Sequence, residues 1–168
     1  TNIFSSVFQV VSVDRIRKKK VSVTYKDNMS THKVTVEKYT GEPYTQISFM
    51  PDLKQFKLDK ITDDMCALMQ KRVYDSAAWT NEVNFTLNGE TIKFDNFNNY
   101  VSLYLGSNED YPRIYQKFSK RWEVVATVNQ DEKFEQISFV NGINTIRGGK
   151  HVNYIVDQIK KSIIEHSH

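Results

Sequence analysis

Alternating polar and apolar positions run through the first fifty residues of the chain. Residues 7–13, 20–25 and 33–39 are rich in β-branched side chains, and alternation resumes at 44–49 after a turn containing Gly and Pro. A period of two is typical of strands that bury one face. The pattern therefore predicts an antiparallel meander, with a basic run at residues 15–20 forming one of its turns.

Helical spacing replaces this alternation near Ile61 and again near the end of the chain. Apolar residues between 61 and 73 recur every three or four positions, so we predict a helix that runs to about Ala78 and separates two structural units. Thr62 is its expected N-cap, because Asp63 and Asp64 follow where carboxylates favour the helix dipole. A last helix is predicted from about His151. Its buried apolar stripe would comprise Val152, Ile155, Val156, Ile159 and Ile163.

Between these helices the sequence carries turn signals that predict hairpins. Asn88-Gly89 separates two strand-like segments and is typical of a type I′ turn, which needs positive φ twice. Asp95-Asn96-Phe97 is expected to open a short helix that runs to Leu105, with Gly106 after its end. Residues 111–118 favour a further strand, and residues 121–128 and 134–140 are expected to pair across the polar turn 129–133.

Composition adds limits rather than a function. The 168 residues are 39% hydrophobic and 26% charged, and the apolar runs are far shorter than the roughly 20 residues of a membrane-spanning helix. A net charge of +3 does not establish DNA binding, and a solvated loop is favoured over a phosphate contact for the basic run. No membrane contact is expected from such short apolar runs, and a single Cys66, which cannot form an intramolecular disulfide, favours an intracellular protein.

No catalytic or metal-binding motif is recognisable. The six glycines include neither a P-loop nor a dinucleotide fingerprint, and the four histidines lack metal-site spacing. His166 and His168 could chelate a metal weakly, although a frayed chain end is the preferred interpretation. Cys66 lies within the apolar helix and is expected to be inert. We therefore predict no catalytic residue and no metal ligand.

Two adjacent stretches carry a family resemblance. FEQISFVNGINT at 134–145 and RGGKHVNYIVDQI at 147–159 resemble the transducer signature of eukaryotic-type type II DNA topoisomerases. Three segments, NIFS at 2–5, YTQISFMPDL at 44–53 and ALMQKRVYD at 67–75, agree in the same order, and RWEV at 121–124 fits as well. The resemblance therefore spans nearly the whole chain.

The resemblance implies an α+β fold. Residues 1–58 would be the C-terminal part of an ATPase domain of the GHKL class, the type shared by gyrase, Hsp90, histidine kinases and MutL. Residues 59–79 would be a connecting helix. Residues 80–168 would be a transducer domain, truncated at its C-terminus, with a two-layer architecture similar to domain 2 of ribosomal protein S5.

The resemblance also implies a function. The family's enzymes use ATP and Mg²⁺, act on DNA as nuclear homodimers, and carry their phosphate loop and catalytic Glu upstream of the segment where this chain is expected to start. The chain itself is expected to bind no cofactor and to be inactive alone. Thr45 resembles a Thr that reads adenine, often through water, although a strand Thr is structurally ordinary. Gly148, Gly149 and His151 would form a turn, which is the preferred interpretation, or a hinge.

Two other functions remain open at the level of sequence, a stand-alone nucleic-acid-binding module and a pure interaction α+β domain of another ATPase of this superfamily. The nucleic-acid module predicts DNA binding with a steep salt dependence, whereas the topoisomerase segment predicts weak binding. If residues 1–58 are only the end of a larger sheet, an unpaired edge and an uncovered apolar face are expected.

Overall fold

A computed structural model of the chain describes residues 1–80 and 82–167. They form two compact units, Thr1–Met65 and Cys66–His168. The first unit is nearly all β and the second is mixed, so the chain as a whole is α+β, as the sequence predicts. His168, one of the two candidate chelating histidines at the chain end, lies outside the described residues.

The first unit is a four-stranded antiparallel sheet. Its strands are β1 (Ser5–Asp14), β2 (Lys19–Lys26), β3 (Thr31–Lys38) and β4 (Thr45–Pro51), in the order β3-β2-β1-β4. All four predicted strands are present, but the predicted meander is wrong for the last one. The fourth strand pairs with β1 instead of β3, because the segment between β3 and β4 carries the chain across the sheet.

The faces of this sheet differ in burial. On one face Val11 and Val13 are 6% and 7% exposed. The opposite face is also lined by β-branched and aromatic residues, yet its side chains on the outer strands are half exposed. These are Val34 and Val36 on β3, and Ile47 and Phe49 on β4. Among the described residues the sheet therefore has the uncovered apolar face that the sequence predicts.

A long helix, α1 (Asp63–Trp79), links the first unit to the second. The Thr62 Oγ1 accepts a hydrogen bond of 3.3 Å from the Met65 amide, which confirms the predicted N-cap. A hairpin of β5 (Phe85–Leu87) and β6 (Glu90–Ile92) follows, and Asn88 and Gly89 adopt φ of 54° and 87°, as a type I′ turn requires.

The second helix, α2 (Phe97–Leu105), has the predicted boundaries. The Asn96 side chain accepts a hydrogen bond from the Asn99 amide at 3.1 Å, and Gly106 ends the helix with φ of 79°. Tyr100 lies at the centre of the small core of this unit and is 2% exposed. Ala77 and Ala78 of α1 are buried in the same core.

The predicted pairing of residues 121–128 with 134–140 is wrong. The structure pairs β7 (Arg113–Ser119) with β8 (Trp122–Thr127) through a tight turn. Only the end of the second predicted segment is a strand, and it forms a short hairpin of β9 (Phe139–Val140) and β10 (Ile143–Asn144). Asn141 and Gly142, with φ of 50° and 77°, make the turn of that hairpin.

The last helix, α3 (Lys150–His166), starts where the sequence predicts, but its apolar stripe is not buried. Val152, Ile155 and Val156 are half-buried, whereas Ile159 and Ile163 are 38% and 61% exposed. A stripe is buried only where another element packs on it, and the described residues leave the second half of α3 in solvent. Within residues 1–80 and 82–167, no helix has the length and apolar character needed to cross a bilayer.

Candidate functional site

Thr45, the residue expected to read adenine, is the first residue of β4. It lies opposite Ser12 of β1 and its side chain is exposed. Its hydroxyl is therefore accessible to a ligand in solvent. The role of Thr45 in adenine binding stays a prediction.

Gly148 and Gly149 form the turn that leads into α3. The Gly148 amide donates to the Thr145 carbonyl at 2.8 Å, and the Gly149 carbonyl accepts from the amides of Val152 and Asn153 at 3.0 and 3.1 Å. Gly148 has φ of 70°, a conformation that costs L-residues about 1–2 kcal/mol. The first turn of the helix is thus anchored on a backbone shape that suits glycine.

The two glycines are needed for different reasons. A Cβ at Gly148 would meet only ordinary contacts, the nearest being Gln136 Nε2 at 3.7 Å, so its constraint comes from the backbone. A Cβ at Gly149, where φ is 155°, would lie 3.0 Å from both Cε1 and Nδ1 of His151. The imidazole of His151 therefore packs directly on the Gly149 backbone.

His151 joins three polar side chains in what we call the His151 cluster, which comprises Gln136, Ser138, Thr145 and His151. Its Nε2 lies 3.2 Å from Thr145 Oγ1 and 3.3 Å from Ser138 Oγ. The two hydroxyl oxygens lie 2.5 Å apart, and Ser138 Oγ donates to Gln136 Oε1 at 2.7 Å. The Gln136 Nε2 in turn donates to the Ile146 carbonyl at 3.0 Å. All four side chains are partly buried.

The register of the short β9–β10 hairpin brings this cluster together. Phe139 pairs with Asn144, so the next residue pair outward is Ser138 and Thr145, whose backbones are joined by a hydrogen bond of 2.8 Å. Sequence reasoning identified His151 but assigned no role to Gln136, Ser138 or Thr145. The Asn141-Gly142 turn was the available signal, because a two-residue turn fixes which residues oppose each other.

The turn of the same hairpin packs against the end of α1. A Cβ on Gly142 would overlap the Trp79 ring, so the absence of a side chain lets the indole lie on the turn. A continuous path of contacts therefore connects the end of α1, through the hairpin and the His151 cluster, to the start of α3. This path lies wholly within the second unit.

A second polar group, the Asp75 network, joins α1 to α2. Asp75 is 3% exposed, and its carboxylate accepts two hydrogen bonds from Lys71 Nζ at 2.8 and 2.9 Å and one from the Tyr100 hydroxyl at 2.7 Å. The hydroxyls of Tyr100 and Tyr104 lie 2.8 Å apart. The four residues line an open cavity of about 270 Å³.

The environment of this network shifts the pKa of two of its groups, Tyr100 and Lys71. Burial, together with the hydrogen bonds to Tyr104 and Asp75, raises the pKa of Tyr100 far above its ordinary value, so it stays a neutral donor. Burial by itself would lower the pKa of Lys71, but hydrogen bonds to Asp75 and Tyr104 outweigh it and raise the pKa. Lys71 therefore stays protonated at neutral pH, with its ammonium 2.8 Å from Asp75 Oδ2.

The hydrogen bonds of the two groups join elements of the second unit. The His151 cluster offers one imidazole, two hydroxyls and one amide, without a carboxylate to orient the imidazole as a general base. In the part of the chain that the structure describes, no group of three or more His, Cys, Asp or Glu side chains could hold a metal ion. Cys66, expected to be inert, is an exposed residue of α1.

Comparison with known proteins finds relatives of the second unit and of nearly the whole chain. The family model described as DNA gyrase B matches residues 96–168, which lie in the second unit. DNA topoisomerase 2 of Bombyx mori is 40% identical over 171 residues, covering 98% of this chain and 11% of that protein. The chain spans 11 to 13% of the length of the curated relatives it matches.

Solved structures agree over the same length. The ATPase region of Saccharomyces cerevisiae topoisomerase II matches 98% of this chain with a TM-score of 0.86 and 40% identity, and 43% of that structure is covered. The ATPase and transducer domains of DNA topoisomerase II from Balamuthia mandrillaris match with a TM-score of 0.86 and 35% identity over 98% of the chain and 42% of that structure. The fold is thus that of part of an ATPase and transducer region. The chain belongs to the type II DNA topoisomerase family.

Proposed function

We propose that this chain is the segment of an ATP-dependent type II DNA topoisomerase that relays ATP binding and hydrolysis to the DNA gate. The parent enzyme would be a nuclear homodimer that uses Mg²⁺ and ATP to pass one DNA duplex through another, relaxing supercoils and separating linked circles. The observation that carries this proposal is the match of 98% of the chain, at 40% identity, to the ATPase region of a topoisomerase II.

We assign the parts of the chain as follows. Residues 1–58 would be the end of the GHKL ATPase domain, residues 59–79 the connecting helix, and residues 80–168 the transducer. Support comes from the four-stranded sheet that ends at Pro51, and from the helix α1, which reaches from one compact unit into the other.

The chain would contribute to the nucleotide site without forming it. The exposed Thr45 hydroxyl suits a hydrogen bond to an adenine ring, made directly or through water. The chain would not hold the nucleotide phosphates, because its six glycines are scattered and do not form a phosphate-binding loop. Bound ATP would supply the free energy that changes the domain arrangement, and this chain's residues would transmit the change.

The contact path of the second unit suits this transmitting role. Trp79 at the end of α1 packs on Gly142, and the hairpin that contains Gly142 carries Ser138 and Thr145, which contact His151 at the start of α3. Packed side chains and hydrogen bonds of this kind move as one body rather than deform. A displacement of the C-terminal end of α1 would therefore be carried to α3.

A chimera tests the proposal. The matching segment of Saccharomyces cerevisiae topoisomerase II is replaced by this chain, and ATP hydrolysis and ATP-dependent relaxation of supercoiled plasmid are measured. We expect both activities to be retained within about tenfold, since the chain matches the segment over 98% of its length. A second chimera carrying Trp79→Ala should hydrolyse ATP but relax plasmid more slowly per ATP consumed. Relaxation that is lost along with all ATP hydrolysis in a folded first chimera would refute the assignment.

A further inference from the structure

The turn between β1 and β2 is the most basic part of the first unit. The turn and the first two residues of β2 carry five cations in residues 15–20, and the end of β3 adds Lys38 beside them. With the carboxylates of Asp14 and Glu37 included, this corner has an excess of four positive charges, more than the +3 of the whole chain. We call it the basic corner, and its cations are Arg15, Arg17, Lys18, Lys19, Lys20 and Lys38.

Both carboxylates of the corner already have cation partners. Asp14 Oδ2 lies 2.7 Å from Arg17 NH1, and Glu37 Oε1 lies 2.8 Å from Lys20 Nζ. Among residues 1–80 and 82–167, Lys18, Lys19 and Lys38 have no carboxylate within ion-pair distance. Their charge is therefore available to an external anion.

The lysines are also brought close to one another by the sheet. Lys19 pairs with Lys38 in the β2–β3 register, so two like charges stand directly opposite each other on neighbouring strands. Such pairs are destabilising unless an anion lies between them. The surface between them is concave, with a volume of about 410 Å³, and Arg17 and Lys18 line it as well.

The backbone beneath the corner is well ordered by hydrogen bonds. Asp14 Oδ1 accepts from the amides of Ile16 and Arg17 at 2.9 and 3.0 Å, and the Tyr39 amide donates to the Lys18 carbonyl at 2.9 Å. Lys18 itself has φ of 52°. Because the turn is held in one shape, binding an anion here costs little backbone entropy.

We propose that the basic corner binds the phosphate backbone of duplex DNA, as a second DNA contact of the chain's parent enzyme outside the cutting site. The choice of DNA among polyanions rests on the proposed function. Phosphate binding by lysines needs only charge and access, and it reads no sequence. An anionic lipid surface shares the same chemistry, and it would also use Ile16, which is 93% exposed between Arg15 and Arg17.

Charge removal at matched positions tests the proposal in the 168-residue chain. The variant K18Q/K19Q/K38Q removes three charges from the corner, and the control K33Q/K54Q/K60Q removes three exposed charges elsewhere in the first unit. Binding of a fluorescein-labelled duplex of about 30 base pairs is followed by anisotropy between about 50 and 200 mM salt. Circular dichroism and thermal unfolding confirm that each variant is folded.

We expect the corner variant to bind the duplex at least tenfold more weakly at the lowest salt. Its slope of log affinity against log salt should be flatter by about two to three, since each phosphate contact contributes about 0.9. The control should stay within about threefold of the unsubstituted chain and keep its slope. Equal losses in the two variants, or no DNA binding by the unsubstituted chain, would overturn the proposal.

Vesicles containing phosphatidylserine provide the competing arm. If Ile16→Asn abolishes vesicle binding while K18Q/K19Q/K38Q leaves DNA affinity unchanged, the corner is a membrane contact and the proposal is wrong. Failure here is distinguishable from failure of the proposed function. If the chimera is active, K18Q/K19Q/K38Q leaves its plasmid relaxation unchanged, and the same variant of the isolated chain keeps its DNA affinity, only the basic-corner proposal is wrong. An inactive chimera refutes the topoisomerase assignment but does not change the result of the DNA-binding assay.

Discussion

At the scale of single residues, the most informative side chain is a charge buried in the second unit. Asp75 is 3% exposed, yet its carboxylate is satisfied by Lys71 and by the Tyr100 hydroxyl. A buried charge is tolerated only when it is paired and hydrogen-bonded, and removing it leaves the Lys71 ammonium without its counter-charge. The network therefore makes the packing of α1 on α2 specific.

We expect Asp75→Asn to lower the free energy of unfolding by about 2 kcal/mol, because it removes the counter-charge of Lys71 and replaces one of the two oxygens that accept from Lys71 with an NH2 donor. Tyr100→Phe, which removes one donor and leaves the ion pair, should cost about 1 kcal/mol. Urea unfolding followed by circular dichroism measures both. The exposed helical Asp157→Asn is the control, expected within about 0.5 kcal/mol of the unsubstituted chain. A D75N effect as small as that of the control would contradict the role of the network.

The hydrogen bonds of Glu123 on β8 predict how the free energy of unfolding depends on pH. Burial alone would raise its pKa, but hydrogen bonds from Lys117 at 2.6 Å and from the Tyr115 hydroxyl at 2.8 Å outweigh burial and lower it. A carboxyl with a lowered folded-state pKa stabilises the fold above its unfolded pKa of about 4.3 and loses that contribution as pH falls through its folded-state pKa. Unfolding free energies should therefore fall below about pH 4.3. The decline should be shallower in Glu123→Gln, and equal slopes in the two proteins would refute this account.

At the scale of elements, local chemistry was predictable from sequence and strand partners were not. The Asn88-Gly89 hairpin, the Thr62 cap and the short helix that ends at Leu105 depend on neighbouring residues, and all are present as predicted. The pairing of β4 with β1 depends on where a connecting segment crosses the sheet. Alternation shows that a strand has two different faces, but it carries no information about which strand lies beside it.

The wrong hairpin shows the same limit. The real turn between β7 and β8 contains Lys120 and Arg121, a dipeptide without Gly, Asn or Pro, so it gave no turn signal. The polar segment 129–133 has the composition of a turn, so the hairpin was predicted there and residues 121–128 were paired with the wrong segment. Of the candidate site residues, Gly148, Gly149 and His151 do lie together, whereas their partners Ser138 and Thr145 required the hairpin register.

The turn before α3 allows backbone and packing effects to be separated. Gly106 has φ of 79° and open space around it, so Gly106→Ala measures the conformational cost alone, about 1 kcal/mol. Gly148→Ala should match it, because its φ is similar and its nearest contact is 3.7 Å away. Gly149→Ala should cost more, since the new methyl meets the His151 ring. Thermal unfolding of the three variants measures this order, and a G149A variant as stable as G106A would contradict the packing of His151.

The double variant G148A/G149A separates a structural turn from a hinge. In the active chimera, a structural turn predicts a loss of stability with the ratio of plasmid relaxation to ATP hydrolysis unchanged. A hinge predicts that ATP hydrolysis continues while relaxation falls. The well-satisfied hydrogen bonds of the turn favour the first result.

At the scale of the whole molecule, the exposed surfaces match a segment that works inside a larger enzyme. Half-exposed Val34, Val36, Ile47 and Phe49 line one face of the sheet, and Ile163 and Ile164 of α3 are about as exposed. Apolar surface of this extent marks places where other parts of a protein pack. The chain covers 43% of the yeast ATPase region it matches, and under the proposed assignment the remainder of such a region would cover these faces.

The isolated chain should accordingly have no enzymatic activity. The proposed adenine contact is Thr45, the six glycines form no phosphate loop, and the hydrogen bonds of the two polar groups in the second unit join its elements. We expect ATP turnover and plasmid relaxation at the level of a buffer blank, measured by a coupled phosphate assay and by gel electrophoresis. The active chimera, assayed in parallel, serves as the positive control. ATP turnover by the purified 168 residues that rises with chain concentration and survives a second purification step would show that this segment carries chemistry of its own, and the relay would then need a different physical account.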